Sequence, residues 1–503
     1  MTFLVLGVLA TPPPAGAVDY KITGEWLFGV GALNTAFVLK KDGRRTQAAT
    51  EDKFAATQRL RTWFNAAVSE DLSGTVNLEF GDTVWGSEKT HAGGGALGAD
   101  AANIKLRQAF MDWTAPAAPL KFRMGIQGMT LPYTAGGSSI LDSDGCAGIV
   151  AGYAFNERVG LTGMWARPYN DFNNPQGGAD LWDNYDLLML SVPLSMNGWK
   201  ATPWAAAGMV GGNTVRYGEY PDTLRGGTDV YTNLVPYTLV RGALNGVVSD
   251  AALNSRPYSG LFFAGLPMAV NPAPWILELD MNYGVFQGLG GYDITDYRHG
   301  MTRRGDSRRA GWLVKGRVEY AMNRGTPGIL GWYASGDDGD IRNGSERLPA
   351  LGPCAYFTSF IGDDVVAGVL KSGGNDSYDL QLNYAGLWGL GIQVRDVALL
   401  TENLRHTLRV VYIGGTNSPS MINYLNSTDF GESKVRYLTT LDHMVEVNFD
   451  SIWKLYENLD LVMEFAYIAN GIDKEAWNRS CRNDDSIRKD DGYKAAVIAK
   501  LTF

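Results

Sequence analysis

The sequence has no apolar run long enough to cross a membrane as a helix. Its longest runs, such as Leu261–Val270, are far shorter than the roughly 20 residues that a spanning helix requires. Mean hydropathy is −0.13, which is too polar for a helical membrane protein. These absences do not exclude membrane-spanning strands, because a strand that meets lipid on one side only is just half apolar.

The chain is also poor in residues that carry chemistry. It has 3 Cys and 4 His among 503 residues, with no CxxC pair and no His spacing suited to zinc, so no metal site and no cofactor are predicted. Neither a GxSxG elbow nor a phosphate-binding glycine loop is present, so an enzyme is not expected. The net charge of −9 argues against a nucleic-acid partner, which requires a basic surface.

The three cysteines lie in segments that resemble loops. In an oxidising compartment Cys354 and Cys481 can form a disulfide. Three small, unpaired loop residues are an equally good interpretation, and the sequence does not choose between them.

What the chain does have is alternation. In its last stretch, Gly492–Phe503, the charged residues Lys494 and Lys500 lie on one face. The other face carries no charge and consists of Tyr493, Ala495, Val497, Ala499, Leu501 and Phe503. A period of two predicts a β-strand. In a closed barrel, such a terminal strand pairs with the first strand, here predicted over Tyr20–Phe28.

The same pattern recurs along the whole chain and predicts about 18 strands, with 16 within the error. Short turns, such as those at Met196–Gly198 and Glu457–Asn458, alternate with long Gly-, Asp- and Asn-rich connections. The long connections include 168–183, 212–257, 287–309, 336–376, 416–434 and 471–491. Short turns on one side and long loops on the other are typical of outer-membrane barrels. A short helix is predicted over Leu239–Ala252 and a strand over Tyr378–Tyr384.

The N-terminus predicts export. An apolar run, Phe3–Ala10, precedes Ala15-Gly16-Ala17, which fits a small-residue cleavage site. We therefore expect a signal peptide at 1–17 and one barrel domain at 18–503. No basic residue precedes Lys21, which suggests that the signal begins upstream of Met1. An ordinary N-terminus with a chance apolar run is the alternative.

Together these features predict an all-β fold, a transmembrane antiparallel up-and-down barrel with long outer loops. The uncharged faces would meet outer-membrane lipid and lipopolysaccharide, and the polar faces would line the interior. A barrel of 16–18 strands is too wide for side chains to fill, so its lumen holds water. A soluble barrel shows the same alternation, but the loop asymmetry, the export signal and the terminal Phe503 favour the membrane.

Three segments resemble the outer-membrane homotrimeric porins of sulfate-reducing bacteria. They are Val18–Trp26, Leu106–Trp113 and Lys500–Phe503. The resemblance implies a homotrimer, passive diffusion of ions and small hydrophilic solutes, and a third loop folded into the pore. It also implies that Phe503 acts as a signal to the barrel-assembly machinery.

The third long connection, 128–145, occupies the position of such a pore loop and contains Asp142 and Asp144. The neighbouring strands offer basic side chains on their non-lipid faces: Arg59, Arg61, Lys105, Arg107, Lys121 and Arg123. The face of Lys105 and Arg107 is ambiguous. Acids on the loop opposite bases on the wall would form a charged constriction that selects ions. Alternatively, these charges only bond to one another.

The predicted function is a general diffusion porin. A substrate-specific channel, favouring anions such as sulfate, is the first alternative. A closed-lumen barrel for adhesion or structure is the second, and an outer-membrane hydrolase is a minor third, since Ser, His and Asp are too scattered to suggest a triad. One acidic outer segment, with Asp337, Asp338 and Asp340, has a Ca²⁺-loop spacing that breaks at Arg342.

Overall fold

The computed structural model describes residues 18–34, 39–40, 53–86, 95–96, 104–170, 184–211, 257–288, 290–296, 298–351, 357–358, 384–399, 401–424, 438–480, 488–489 and 491–503. The predicted signal peptide, the helix at Leu239–Ala252, and Cys354 with Cys481 lie outside these residues. So does the strand predicted at Tyr378–Tyr384, except for Tyr384 itself. Among the described residues, no helix is both long enough and apolar enough to cross a membrane.

Eighteen antiparallel strands form the barrel. The first nine are β1 (Asp19–Asn34), β2 (Lys53–Ser69), β3 (Leu72–Val84), β4 (Ile104–Thr114), β5 (Leu120–Thr130), β6 (Asp142–Ala154), β7 (Gly160–Asn170), β8 (Asn184–Ser191 and Leu194–Met196) and β9 (Trp199–Ala201 and Trp204–Gly211). The others are β10 (Tyr258–Val270), β11 (Trp275–Phe286), β12 (Arg309–Tyr320), β13 (Thr326–Ala334), β14 (Leu387–Val397), β15 (Leu404–Gly415), β16 (His443–Tyr456), β17 (Leu459–Asn470) and β18 (Gly492–Thr502).

The sheet contains 20 hydrogen-bonded segments, but two strands are each interrupted once. Pro193 splits β8 and Pro203 splits β9, because proline has no amide hydrogen for the ladder. Joining these halves gives 18 strands, as the alternation predicts. Each strand pairs with its neighbour in sequence, and β18 pairs with β1 over Glu25–Asn34. The barrel is therefore closed and has no free edge.

The barrel closes at Phe503. Its backbone exchanges two hydrogen bonds with Gly24, one from Gly24 N to Phe503 O at 2.7 Å and one from Phe503 N to Gly24 O at 3.0 Å. The aromatic ring lies directly over Gly24, where a Cβ atom would come within 2.3 Å of it. The predicted pairing of the last strand with the first is confirmed.

Deleting Phe503 is expected to lower the yield of assembled barrel several-fold while leaving the conductance of assembled channels unchanged. The deletion removes the ring and both bonds at the seam, but it leaves the lumen untouched. Heat-modifiable gel mobility of membrane fractions measures the yield, and Phe503→Tyr is the control because it keeps an aromatic end. A normal yield from the deletion would contradict both roles of Phe503, in closure and as an assembly signal.

Side chains alternate between the two sides of the wall. In β11 the outward side chains are apolar, among them Leu277, Leu279 and Tyr283, while Asp280 and Asn282 are buried inside. Exposed aromatic rings lie at the ends of several strands, as at Trp275 and Tyr320, whose ring centroids are 4.9 Å apart. A closed barrel with an apolar exterior and aromatic girdles is the structure that crosses an outer membrane.

The connections are asymmetric, as predicted. Two residues join β2 to β3, β8 to β9 and β16 to β17, whereas the described long connections lie at the other end of the barrel. Both Asp19 and Thr502 lie at the end with short turns. One long connection contains a hairpin, Gly291–Asp296 with Met301–Asp306. Another contains a short helix, Lys474–Ser480.

The hydrophobic core lies inside the barrel and on one side of it. Inward side chains in the outer halves of the middle strands are apolar, including Met164, Tyr185, Leu187, Phe263 and Trp332. They pack against chain that enters the lumen, above all the connection 131–141 between β5 and β6 and the segment that follows β13. The predicted inward fold of the third loop is confirmed. In the outer half of the barrel, the polar part of the lumen is therefore displaced toward β1–β5 and β14–β18.

Candidate functional site

A network of charged side chains lines the inner wall at β1–β4. Glu79 of β3 is fully buried and is the centre of this network. Its carboxylate lies 2.8 Å from Arg61 Nε, 3.1 Å from Lys105 Nζ and 3.5 Å from Arg107 Nε. The shared partner shows that Lys105 and Arg107 face the lumen, the point on which the sequence is ambiguous. Glu79 itself is absent from the set predicted from the sequence.

The network continues across the seam of the barrel. Arg59 lies 3.3 Å from Glu25 of β1. The same carboxylate accepts Lys500 of β18 at 2.9 Å. Strand pairing places these residues side by side, since β1 lies between β2 and β18. We call the eight residues of this network the wall cluster: Glu25, Arg59, Arg61, Glu79, Lys105, Arg107, Asp144 and Lys500.

The two aspartates predicted on the pore loop are instead part of the wall. Asp142 and Asp144 are the first and third residues of β6, because an inward-facing strand position next to water accepts a carboxylate as readily as a loop does. Asp144 contacts Arg61 at 3.1 Å and Arg107 at 2.5 Å. Asp142 accepts a hydrogen bond from Thr130 at 2.7 Å. The placement of these two acids on the loop is therefore wrong, and their part in a charged constriction stays a prediction.

The remaining predicted bases lie nearer the periplasmic end. Arg123 forms a two-pronged pair with Asp112 at 2.7 and 3.0 Å and lies 4.2 Å above the ring of Phe110. Lys121 is exposed on the same face of β5. Cys146, expected in a loop, is a buried free thiol in β6. No sequence signal marks Phe110 as an inward residue, because an aromatic ring normally faces lipid in such a strand.

The inward loop is held by a buried ion pair that the sequence does not reveal. Lys315 and Asp280 are 1% and 2% exposed, and Nζ lies 3.5 Å from the carboxylate. Lys315 also donates to the carbonyl oxygens of Gly136 and Gly137. Asp280 accepts the Thr134 hydroxyl at 2.7 Å and its amide at 2.9 Å. The loop is thus anchored to the far wall, and its residues 131–141 carry no charged side chain.

A second charged network lines the periplasmic half of β11–β15. Buried Glu319 accepts two bonds from Arg395, at 2.7 and 3.0 Å, and one from Gln393 at 2.7 Å. Arg317 contacts Glu278 at 2.5 Å. Here acids and bases balance more evenly than in the wall cluster.

Three carboxylates meet on the outer segment after β13. One oxygen from each of Asp337, Asp338 and Glu346 lies within 4.8 Å of the other two. Burial, with the neighbouring carboxylates, raises the pKa of both Asp337 and Glu346 above their usual values. Asp340, which the sequence groups with them, bonds instead to Arg342 at 2.9 and 3.0 Å.

Several solved structures resemble this barrel. OccK8 (OprE) of Pseudomonas aeruginosa aligns with 10% identity and a TM-score of 0.49 over 96% of this chain and 98% of that one. OccAB3 of Acinetobacter baumannii aligns with 10% identity and a TM-score of 0.49 over 96% and 99%. OccK9 (OpdG) of Pseudomonas aeruginosa aligns with 13% identity and a TM-score of 0.49 over 96% and 98%. No family model and no curated protein matches the sequence.

At such identities the resemblance does not extend to function, and the fold rests on strand order and closure within this chain. The effect of the wall cluster on ions must therefore be inferred from its own charges. Five cations and three carboxylates share it, and Asp144 and Lys105 have 59% and 42% of their side chains exposed. Charges that remain accessible to water in a lumen attract or repel passing ions.

Proposed function

We propose that the chain is an outer-membrane channel for passive diffusion of small hydrophilic solutes, with a preference for anions. The observation that carries this proposal is the excess of cations in the wall cluster. A barrel of 18 strands is wide enough to hold water, and the uncharged loop 131–141 occupies the side opposite the cluster. Solutes would therefore pass between the loop and the basic wall. Transport of this kind requires no chemical step and no cofactor.

Reversal potentials across a planar bilayer with a salt gradient are expected to show a preference for anions. The preference should grow as salt falls, since the Debye length rises from about 3 Å at 1 M to about 30 Å at 0.01 M. Protein refolded in detergent and inserted from both sides supplies the channels. A cation preference, or a potential that does not depend on ionic strength, would contradict the role of the wall cluster.

The same recordings separate a general diffusion porin from a substrate-specific channel. Conductance that increases in proportion to solute concentration supports general diffusion. Conductance that saturates, or chloride current that an organic anion blocks, supports a specific channel, which the anchored loop and dense basic wall favour. No stepwise conductance from folded protein would reject both forms and support the closed-lumen alternative.

That the protein forms a homotrimer stays a prediction, and it rests on the sequence resemblance to homotrimeric porins. One chain already closes the barrel, so closure needs no second copy. Gel mobility of unheated protein and chemical crosslinking in lipid test the prediction. Migration at the mass of a single chain under both conditions would reject it.

A further inference from the structure

The outer segment after β13 presents a cluster of oxygen ligands that neither the channel nor the sequence pattern explains. Asp337, Asp338 and Glu346 bring one carboxylate oxygen each to within 4.8 Å of one another. Like charges at this separation repel, so the arrangement is unfavourable for the folded chain unless a positive charge lies among them. An acidic cluster by itself is common on protein surfaces and would carry no inference.

The decisive second feature is the burial of Asp337. The residue is 3% exposed, and its Oδ2 atom is buried without a hydrogen-bond partner. Its Oδ1 atom accepts the amide of Gly339 at 2.8 Å. A buried carboxylate oxygen without a partner destabilises the folded chain. In proteins such an oxygen is usually satisfied by a hydrogen-bond donor, a proton or a cation.

Two arginines lie next to the cluster, and each also bonds to an acceptor outside it. Arg342 bonds to Asp340, and Arg347 donates to the carbonyl oxygen of Ala385 at 2.8 Å. Asp338 accepts the side-chain amide of Asn343 at 3.0 Å, which fixes its orientation. Ser345 and the charge of Arg347 lower the pKa of Asp337, but burial outweighs both and the pKa stays raised. Since Arg342 is paired with Asp340, one nearby arginine against three carboxylates leaves the cluster with a net negative charge.

We propose that Asp337, Asp338 and Glu346 bind one Ca²⁺ ion at the outer mouth of the barrel. Two oxygens on one Ca²⁺ at about 2.3–2.6 Å lie at most about 5 Å apart, which accommodates the observed separations. Mg²⁺, with ligands at about 2.0–2.1 Å, demands a near-regular octahedron and keeps several of its waters, so it is the less suitable ion. Water and backbone carbonyl oxygens would complete the coordination of Ca²⁺.

Such an ion would stabilise the outer segment that contacts the inward loop. The segment that carries the cluster continues to Leu351, whose amide donates to the carbonyl oxygen of Ile140 in the inward loop at 2.6 Å. Arg309 of β12 holds the same segment through the carbonyl oxygens of Arg347 and Leu348, both at 2.9 Å. Binding at the cluster therefore stabilises chain that packs directly on the pore loop.

The test uses full-length protein refolded into detergent from denaturant, because lipopolysaccharide itself binds divalent cations. Tb³⁺, which takes oxygen ligands and emits when excited through nearby aromatic rings, is the probe, and Ca²⁺ and Mg²⁺ compete with it. We expect one displaceable Tb³⁺ per chain, and we expect Ca²⁺ to compete better than Mg²⁺. The dissociation constant of Ca²⁺ should be on the order of 10⁻⁴–10⁻³ M, as in extracellular sites.

Asp337→Asn is expected to weaken Ca²⁺ competition by about ten-fold or more, because affinity follows the charge of the ligands. Asp340→Asn, at a neighbouring exposed residue outside the cluster, is the matched control and should bind like the wild type. If Asp337→Asn does not fold, Glu346→Gln at a half-buried position gives the same test. The proposal is overturned by a wild type without displaceable Tb³⁺, by folded cluster variants that bind normally, or by equal loss in the control.

Discussion

Replacing Glu79 by Gln increases the anion preference of the channel, and replacing Arg107 by Gln decreases it. Glu79 is the carboxylate shared by Arg61, Lys105 and Arg107, so its neutralisation uncovers positive charge beside the lumen. A unit charge at about 4 Å contributes about 1 kcal/mol even at the dielectric constant of water. The permeability ratio should therefore change by a factor of about five in each direction.

The measurement is the reversal potential in a salt gradient, repeated at low and high ionic strength. The matched control is Arg324→Gln, at the short turn after β12 and away from the wall cluster. Single-channel conductance at high salt should stay close to that of the wild type in all three variants, because screening suppresses the difference there. Shifts of the same sign in Glu79→Gln and Arg107→Gln would refute the assignment of the wall cluster as the selective region.

Replacing Lys315 by Met destabilises the barrel and frees the inward loop. Lys315 is buried against Asp280 and bonds to two carbonyl oxygens of the loop. Removal of one member of a buried ion pair leaves the other charge unpaired, which costs about 3–5 kcal/mol in the free energy of unfolding. Asp280 would still hold Thr134, so the loop loses one anchor and keeps the other.

Urea titration of the protein in lipid vesicles, followed by Trp fluorescence, measures the stability. Single-channel recording shows the state of the loop, which we expect to produce noisier and larger open currents. Lys200→Met is the control, since Lys200 is an exposed lysine in β9. Equal unfolding free energies for the two variants, together with unchanged current noise, would show that the ion pair does not anchor the loop.

Some of the site follows from local pattern and some does not. The alternation in β2 and β5 places Arg59, Arg61, Lys121 and Arg123 on the inner face, because adjacent side chains in a strand point to opposite sides. The same reasoning misplaces Asp142 and Asp144, since an Asp-Ser-Asp-Gly stretch resembles a loop until its partner strand is known. β6 pairs with β5 across this stretch and turns it into wall.

Contacts between residues far apart in the chain are not predicted by any local sequence pattern. Asp280 and Thr134 are 146 residues apart, and the partners in Arg61–Glu79 are brought together by strand register. The Ca²⁺-loop spacing at Asp337, Asp338 and Asp340 fails as a motif because the third ligand is Glu346, which a turn of the outer segment returns to the cluster. The alternation does not reveal β14 (Leu387–Val397), because Gly389 and Gly391 interrupt its apolar face.

The sequence by itself determines that this chain forms a closed barrel with about 18 strands, short turns at one end and long loops at the other. Those properties follow from a period of two and from turn composition, which are written locally. Only the tertiary structure decides where the inward loop is anchored, which carboxylate organises the basic wall and which three acids meet at the mouth. These depend on register and on side chains that approach across the lumen, and no spacing along the chain encodes such distances.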